Sequence, residues 1–145
     1  MILDTTMSND LPLSHIGAGL ACPIHTNAQG SFQLSHGTRN LEEAITIILK
    51  TKLGERVYRP NFGSRLSELA FEPMNTETLS LIRLYVREAI EIWEPRIDLL
   101  NILTEPDPGS GQVNITILYQ PKDSYDSRSM VYPFYLMTAD TVAEQ

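Results

Sequence analysis

Apolar residues recur at three- and four-residue spacing through the middle of the chain, a spacing typical of one buried helix face. These positions are Leu79, Ile82, Val86, Ala89, Ile90 and Trp93. We expect the helix to begin at Asn75 or Thr76, either of which can cap it, and Glu77 suits the positive end of the helix dipole. Pro95 lacks an N–H and disfavours helical geometry at the residue before it, so the helix should end near Glu94.

The strongest strand signal follows this helix directly. The residues after Pro95 are nearly all branched or apolar, which predicts a strand over Ile97–Thr104 that is buried on both faces. Glu94 and Arg96 therefore flank a corner between two core elements. We expect both side chains to be at least partly buried, and a buried charge needs a partner. This corner is the first candidate site.

A hairpin is predicted near the start of the chain. Two short extended runs, residues 20–24 and 31–34, flank a turn-rich link at residues 26–30. Pro23 favours an edge position for its strand, since it cannot donate to a ladder.

One helix and one shorter helix are predicted between the hairpin and the long helix. Asn40 and Glu43 form a capping-box pattern ahead of an apolar stripe that runs to about Lys52. Residues 55–63 are dense in charged and aromatic side chains. Ser64 can cap a short helix that follows them.

Two strands follow a strong turn signal at residues 106–111. Apolar and polar residues alternate over Gln112–Gln120, which predicts a half-buried strand with one mostly polar face. Ser129–Met137 contains a third strand, in which Pro133 favours an edge or a bulge. The pattern predicts a single small α+β domain, in which an N-terminal hairpin and helices precede an antiparallel three-strand meander.

Composition limits the function classes. The length of 145 residues suits one domain, which we place at residues 17–137 between a flexible arm (1–16) and a tail (138–145). The chain shows no signal-peptide pattern and no apolar run of the roughly 18 residues that a membrane helix needs, so we expect cytoplasmic synthesis without direct membrane insertion. The formal charge of −7 argues against nucleic acid as the main partner, because phosphate binding needs a basic surface.

Catalytic and metal-binding patterns are weak. Glycoside hydrolysis needs two carboxylates with different pKa values. The candidates are Glu55, Glu88, Glu91, Glu94 and Asp98. A carboxylate beside a cation has a lowered pKa, the wrong direction for a general acid, so a structural ion pair is favoured at the corner. Cys22 and His25 have ligand-like spacing without a second close pair, so we expect neither a metal nor a cofactor.

Protein binding is the function that the residues favour. The polar-faced strand Gln112–Gln120 and the proline-containing strand Ser129–Met137 leave backbone groups with which another chain could pair. The aromatic residues of this half could face such a partner or pack on the long helix, and the pattern leaves both open. They are Tyr119, Tyr125, Tyr132, Phe134 and Tyr135.

An ordered set of motifs carries a family resemblance over about Gly17 to Leu136. The set comprises Gly17-x-Gly19-Leu20-Ala21-x-Pro23 and Gly30, the apolar helix from Leu41 to Gly54-Glu55-Arg56, Arg59-Pro60-x-Phe62-Gly63, Phe71-Glu72-Pro73 and Glu94-Pro95-Arg96-Ile97. In this order the motifs resemble the small wedge protein family of contractile-tail baseplates. That family occurs in phages, type VI secretion systems and phage-tail-like injection particles, and some of its members carry a lysozyme-like label.

The resemblance implies a structural protein that is not an enzyme and is incorporated into the baseplate of a phage tail or injection particle in six copies. Its fold would be similar to the strand-exchange domain of the sheath subunit. Its partners would be the sheath protein, whose assembly it would nucleate by strand addition, and the larger wedge proteins, with the central spike or hub nearby.

The resemblance also assigns residues by position. Glu94, Pro95 and Arg96 would form a wedge-docking corner, with Arg56 and Arg59 in the same network. The sheath-facing strands would present Gln112, Asn114, Thr116, Ser129, Val131, Tyr132 and Phe134. The alternative function is a peptidoglycan hydrolase that acts through Glu94 and a second acid.

Overall fold

The chain divides into two compact units, residues 1–44 and residues 45–145. The computed structural model describes residues 17–20, 24, 26, 28–31, 34–122 and 124–137. The predicted arm (1–16) and tail (138–145) lie outside the described residues, so they and the domain limits stay predictions.

The first unit contains an antiparallel pair of short strands, β1 (Ala18–Leu20) and β2 (Leu34–His36). Leu20 lies opposite Leu34. The two predicted runs therefore pair with each other, but the paired residues, 18–20 and 34–36, overlap the predicted runs only at Leu20 and Leu34. Pro23 lies outside the described residues.

The first helix, α1, spans Gly37–Lys50. The predicted capping box is wrong, because Gly37 at φ +59° starts the helix directly after β2 and places Asn40 inside it. A Cβ added at Gly19 would lie 2.8 Å from Asn40 Oδ1, so the Asn40 side chain lies against β1. Glu43 accepts a hydrogen bond from Arg39 Nε at 3.0 Å.

The next helical element is a short 3-10 helix, Leu66–Leu69. Arg65 occupies its N-cap position without a side-chain cap. The predicted Ser64 cap is wrong, because Ser64 Oγ donates to the Leu49 carbonyl oxygen at 3.0 Å. Ser64 thus ties the end of α1 to the start of the 3-10 helix.

The long helix, α2, spans Thr76–Trp93 as predicted. Asn75 Oδ1 accepts the Thr78 N–H at 2.8 Å, and the Glu94 N–H closes the last turn by donating to the Ile90 carbonyl at 2.8 Å. Its buried positions are Thr78, Ile82, Val86, Ala89 and Ile90.

The three remaining strands form an antiparallel sheet in the order β3–β4–β5. They are β3 (Ile97–Asp107), β4 (Gln112–Pro121) and β5 (Arg128–Tyr135). The register shifts between Leu99 and Asn101, which marks a β-bulge. The predicted α+β fold with a three-strand meander is confirmed.

The prediction that β3 is buried on both faces is wrong. β3 is an edge strand, and Leu100 and Leu103 are 50% and 45% exposed. One face of the sheet is the buried face, which carries the core residues of β4 and the contact with α2. We call the other, solvent-exposed face the open face.

Alternation along β4 is confirmed. Val113, Ile115, Ile117 and Tyr119 are completely buried, and the residues between them are half-buried on the open face. Tyr119 therefore belongs to the core, whereas Tyr125 is fully exposed.

Candidate docking site

The corner at the end of α2 is held by a two-point ion pair. Arg96 Nε lies 2.6 Å from Glu94 Oε1, and Arg96 Nη2 lies 2.7 Å from Glu94 Oε2. The Glu94 side chain is 3% exposed, and the Arg96 side chain is 34% exposed. The structure thus brings Glu94 and Arg96, the two charged residues predicted at the corner, into contact across Pro95.

This pairing fixes the chemistry of the corner. The hydrogen bond with Glu94 raises the pKa of Arg96 above its ordinary value. The Arg96 carbonyl accepts the Lys122 N–H at 2.9 Å, which ties the corner to the end of β4. Both oxygens of the Glu94 carboxylate accept from the same guanidinium, a charge-assisted two-point contact that holds the two side chains in one geometry.

The loop from Lys52 to Gly63, which we call the Arg-Pro loop, is also closed by defined contacts. The Ser64 N–H donates to the Thr51 carbonyl at 2.9 Å and so joins the two ends of the loop. Gly63 has φ +121°, and a Cβ there would overlap the Thr51 carbonyl. The Arg-Pro loop is therefore a compact Ω-type loop rather than a loose connection.

Two aromatic rings connect this loop to the corner. The guanidinium carbon of Arg56 lies 4.4 Å from the centroid of the Phe62 ring. The Phe62 ring in turn meets Trp93 edge-on, with centroids 5.0 Å apart. Trp93 immediately precedes Glu94, so Arg56 is connected to the corner by two successive ring contacts, with Phe62 and then Trp93.

Arg56 and Arg59 do not pair with Glu94 in the described part of the chain, where Glu94 forms its salt bridge with Arg96. Their place in a docking network stays a prediction. Sequence reasoning missed the ring contacts of Phe62 and Trp93, because the two rings are far apart along the chain. The aromatic content of the loop was the available signal.

The predicted sheath-facing residues lie on two different faces of the sheet. By alternation, five lie on the open face and two, Tyr132 and Phe134, on the buried face. The five are Gln112, Asn114, Thr116, Ser129 and Val131. Burial raises the pKa of Tyr132 and keeps its hydroxyl neutral.

The idea that β4 offers backbone groups to another chain is wrong, since β4 is the central strand and pairs with β3 and β5 along both sides. Strand addition is therefore open only to the outer edges of β3 and β5. A sheath-facing role for the β4 side chains stays a prediction.

The outer edge of β5 has unpaired donors. The Leu136 N–H bonds to the Gly111 carbonyl at 2.8 Å, and alternation from this pair turns odd-numbered residues of β5 away from β4. Pro133 is one of them, so its missing N–H costs no bond within the sheet, as predicted for an edge. The N–H groups of Val131 and Tyr135 also point outward.

The outer edge of β3 is blocked at several points. The register places Ile102 and Pro106 at outward-facing positions. Pro106 has no N–H, and the Ile102 N–H already donates to Asn101 Oδ1 at 2.9 Å. The bulge at Leu100 further distorts this edge. Bulges, prolines and capped donors are devices that prevent strand pairing.

A groove runs along the outer edge of β5. Its volume is about 360 Å³, and Lys50, Lys52, Phe71, Tyr132 and Phe134 are among the residues that line it. The Met137 N–H donates to the Ala70 carbonyl at 2.6 Å and closes one end.

The described residues contain no group of three or more side chains suited to hold a metal ion. Cys22 and His25 lie outside those residues. In the described part of the chain, no helix is both long enough and apolar enough to cross a membrane.

Fold and site together define a small α+β domain with a rigid ion-paired corner and one accessible sheet edge, the features of a structural protein-binding module. A family model described as baseplate wedge protein gp25 matches residues 35–124, and the chain belongs to that family of baseplate wedge components of contractile tail systems.

Similar proteins agree with this membership. The chain is 33% identical to baseplate wedge protein gp25 of Enterobacteria phage T4 over 72 residues, which cover 50% of this chain and 54% of the phage protein. The chain thus spans about half the length of that relative.

Two solved structures share the fold. A candidate tail lysozyme from Geobacter sulfurreducens is 41% identical, with a TM-score of 0.67, over 74% of this chain and 97% of its own. A chain of the anti-feeding prophage baseplate, solved by electron microscopy with six-fold symmetry, has a TM-score of 0.64 at 20% identity, over 94% and 99% of the two chains.

Proposed function

We propose that this chain is a non-enzymatic wedge subunit that docks on larger wedge proteins through the Glu94–Arg96 corner and accepts a strand of the sheath protein at the outer edge of β5. The observation that carries this proposal is the asymmetry of the sheet, in which the β3 edge is blocked and the β5 edge is accessible.

Strand addition at β5 agrees with the geometry of the edge. The outward N–H groups of Val131 and Tyr135 would bind carbonyls of an incoming strand, and the groove would receive its side chains. Six copies in one ring would turn weak single pairings into tight attachment of a sheath ring. This arrangement would place the chain close to the central spike or hub.

Docking at the corner is supported by the difference in exposure between Glu94, which is buried, and Arg96, which is partly exposed. Glu94 fixes the guanidinium from inside, and about a third of the Arg96 side chain remains accessible to a partner. A held guanidinium loses little side-chain freedom on binding, which favours interface contacts.

A peptidoglycan hydrolase is the second candidate, because the similar Geobacter chain is described in lysozyme terms. The geometry opposes this function, because the Glu94 carboxylate is 3% exposed and both of its oxygens accept from Arg96, so the carboxylate is not presented to a substrate. Glu94→Gln separates the two candidates: a hydrolase would lose turnover with assembly intact, whereas a wedge subunit would lose docking.

The experiment is co-expression with the sheath and wedge proteins encoded beside this chain, followed by electron microscopy. We expect six-fold plates that carry this chain and grow sheath. Val131→Pro removes one outward donor of β5, and Thr104→Pro is the matched control at an outward position of the blocked β3 edge.

Val131→Pro should abolish sheath growth from otherwise normal plates, and Thr104→Pro should leave it intact. Thermal unfolding of both variants checks that each is folded. Normal sheath from folded Val131→Pro would refute strand addition at β5. A monomer that ignores both partners but degrades cell-wall substrate would favour the hydrolase.

A further inference from the structure

Two apolar side chains at the tip of the Arg-Pro loop serve neither the corner nor the sheet edge. Val57 is 90% exposed and Tyr58 is 97% exposed. They occupy the centre of a turn in which the Arg59 N–H donates to the Arg56 carbonyl at 3.2 Å. Such central positions usually take Gly, Pro, Asn or Asp, and the exposure of Val57 and Tyr58 shows that neither side chain packs in the core.

The loop holds this tip in a fixed position. The Gly54 N–H donates to the Pro60 carbonyl at 2.6 Å across the loop. Below the tip, Arg56 stacks on Phe62, and Phe62 packs against Trp93 of α2. A pre-organised tip pays little conformational entropy when a partner immobilises it.

The surroundings of the tip are basic in an otherwise acidic chain. The Arg-Pro loop, residues 52–63, contains three cations and one carboxylate, a net charge of +2, although the formal charge of the whole chain is −7. The cations are Lys52, Arg56 and Arg59. Tyrosine and arginine are the residue types that dominate binding energy at protein interfaces.

We propose that Val57 and Tyr58 form an anchor that inserts into an apolar pocket with an acidic rim on a larger wedge protein. The anchor rests on the proposed wedge-docking function and names the surface that recognises the partner. The acidic remainder of the chain would be repelled by an anionic bilayer, which favours a protein pocket over a lipid surface. Arg56 and Arg59 on either side of the tip suit the acidic rim.

The test measures binding of the full chain to the larger wedge proteins encoded beside it, purified as a complex without this chain. Tyr58→Ser should weaken binding at least about tenfold, the loss expected of a central aromatic anchor. Val57→Ser should weaken it in the same direction. Tyr125→Ser is the matched control, because Tyr125 is a fully exposed tyrosine in the connection between β4 and β5, and it should bind like wild type.

The outcomes separate this anchor from the function on which it rests. Failure of the wild-type chain to bind the wedge complex would overturn the proposed docking function itself. Tight wild-type binding that Tyr58→Ser leaves unchanged would overturn only the anchor. Tyr58-dependent binding to vesicles of phosphatidylcholine and phosphatidylglycerol, or Tyr58-dependent self-association in sedimentation, would replace the wedge pocket by a membrane or a second copy and so overturn it too.

Discussion

Removal of Arg96 tests whether the corner is held by its ion pair. Arg96→Ala leaves the Glu94 carboxylate, which is 3% exposed, without the guanidinium that binds both its oxygens. Breaking a buried pair in this way costs about 3–5 kcal/mol. We expect a value near the lower limit, about 3 kcal/mol, because the pair lies at a corner and water can reach the vacated position.

The assay is urea unfolding of the wild type, Arg96→Ala, Glu94→Ala and the double variant. Glu94→Ala should cost less than Arg96→Ala, since the partly exposed guanidinium can be solvated. The double variant should cost less than the sum of the two single variants, because it leaves no unpaired charge. Additive losses would refute the reasoning.

Two further predictions concern the Arg-Pro loop and the β3–β4 turn. Gly63→Ala should lower the free energy of unfolding by at least about 1 kcal/mol more than Gly54→Ala, because both glycines have positive φ but only Gly63 faces the Thr51 carbonyl. Thermal unfolding of both variants measures the difference, and equal losses would contradict the contact at Gly63. Hydrogen bonds from Ser110 Oγ and the Gly109 N–H lower the pKa of Asp107, so its small contribution to stability is present above the unfolded pKa and disappears as the pH falls through the folded one. Ser110→Ala should move that pKa upward in an NMR titration, and an unchanged value would refute the assignment.

The long helix and the corner could be predicted from sequence because their signals are local. Asn75 caps α2, and Pro95 prevents its continuation, whatever packs nearby. Glu94 and Arg96 are two residues apart, so their pairing follows from a single turn of the backbone. The alternation along β4 likewise needed only a period of two.

The wrong predictions depend on contacts between distant residues. Asn40 and Ser64 had the chemistry of helix caps, but Gly37 started α1 earlier and the Leu49 carbonyl took the Ser64 hydroxyl. The apolar sequence of β3 suggested two buried faces, yet the sheet gives Leu100 and Leu103 no cover on their exposed side. Periodicity reports the spacing of apolar residues and does not reveal how many layers pack around a strand.

The order of the strands in the sheet decides which strand has a free edge, and the sequence alone does not reveal this order. The most regular strand, β4, lies in the centre and has no free edge, so the strand addition that we propose involves β5. On that edge Pro133 interrupts the row of outward donors between Val131 and Tyr135, so a backbone ladder alone would hold an incoming strand weakly. Side chains seated in the groove beside Tyr132 and Phe134 would then supply much of the binding. An edge built in this way disfavours indiscriminate pairing with any extended chain and favours a strand whose side chains match the groove.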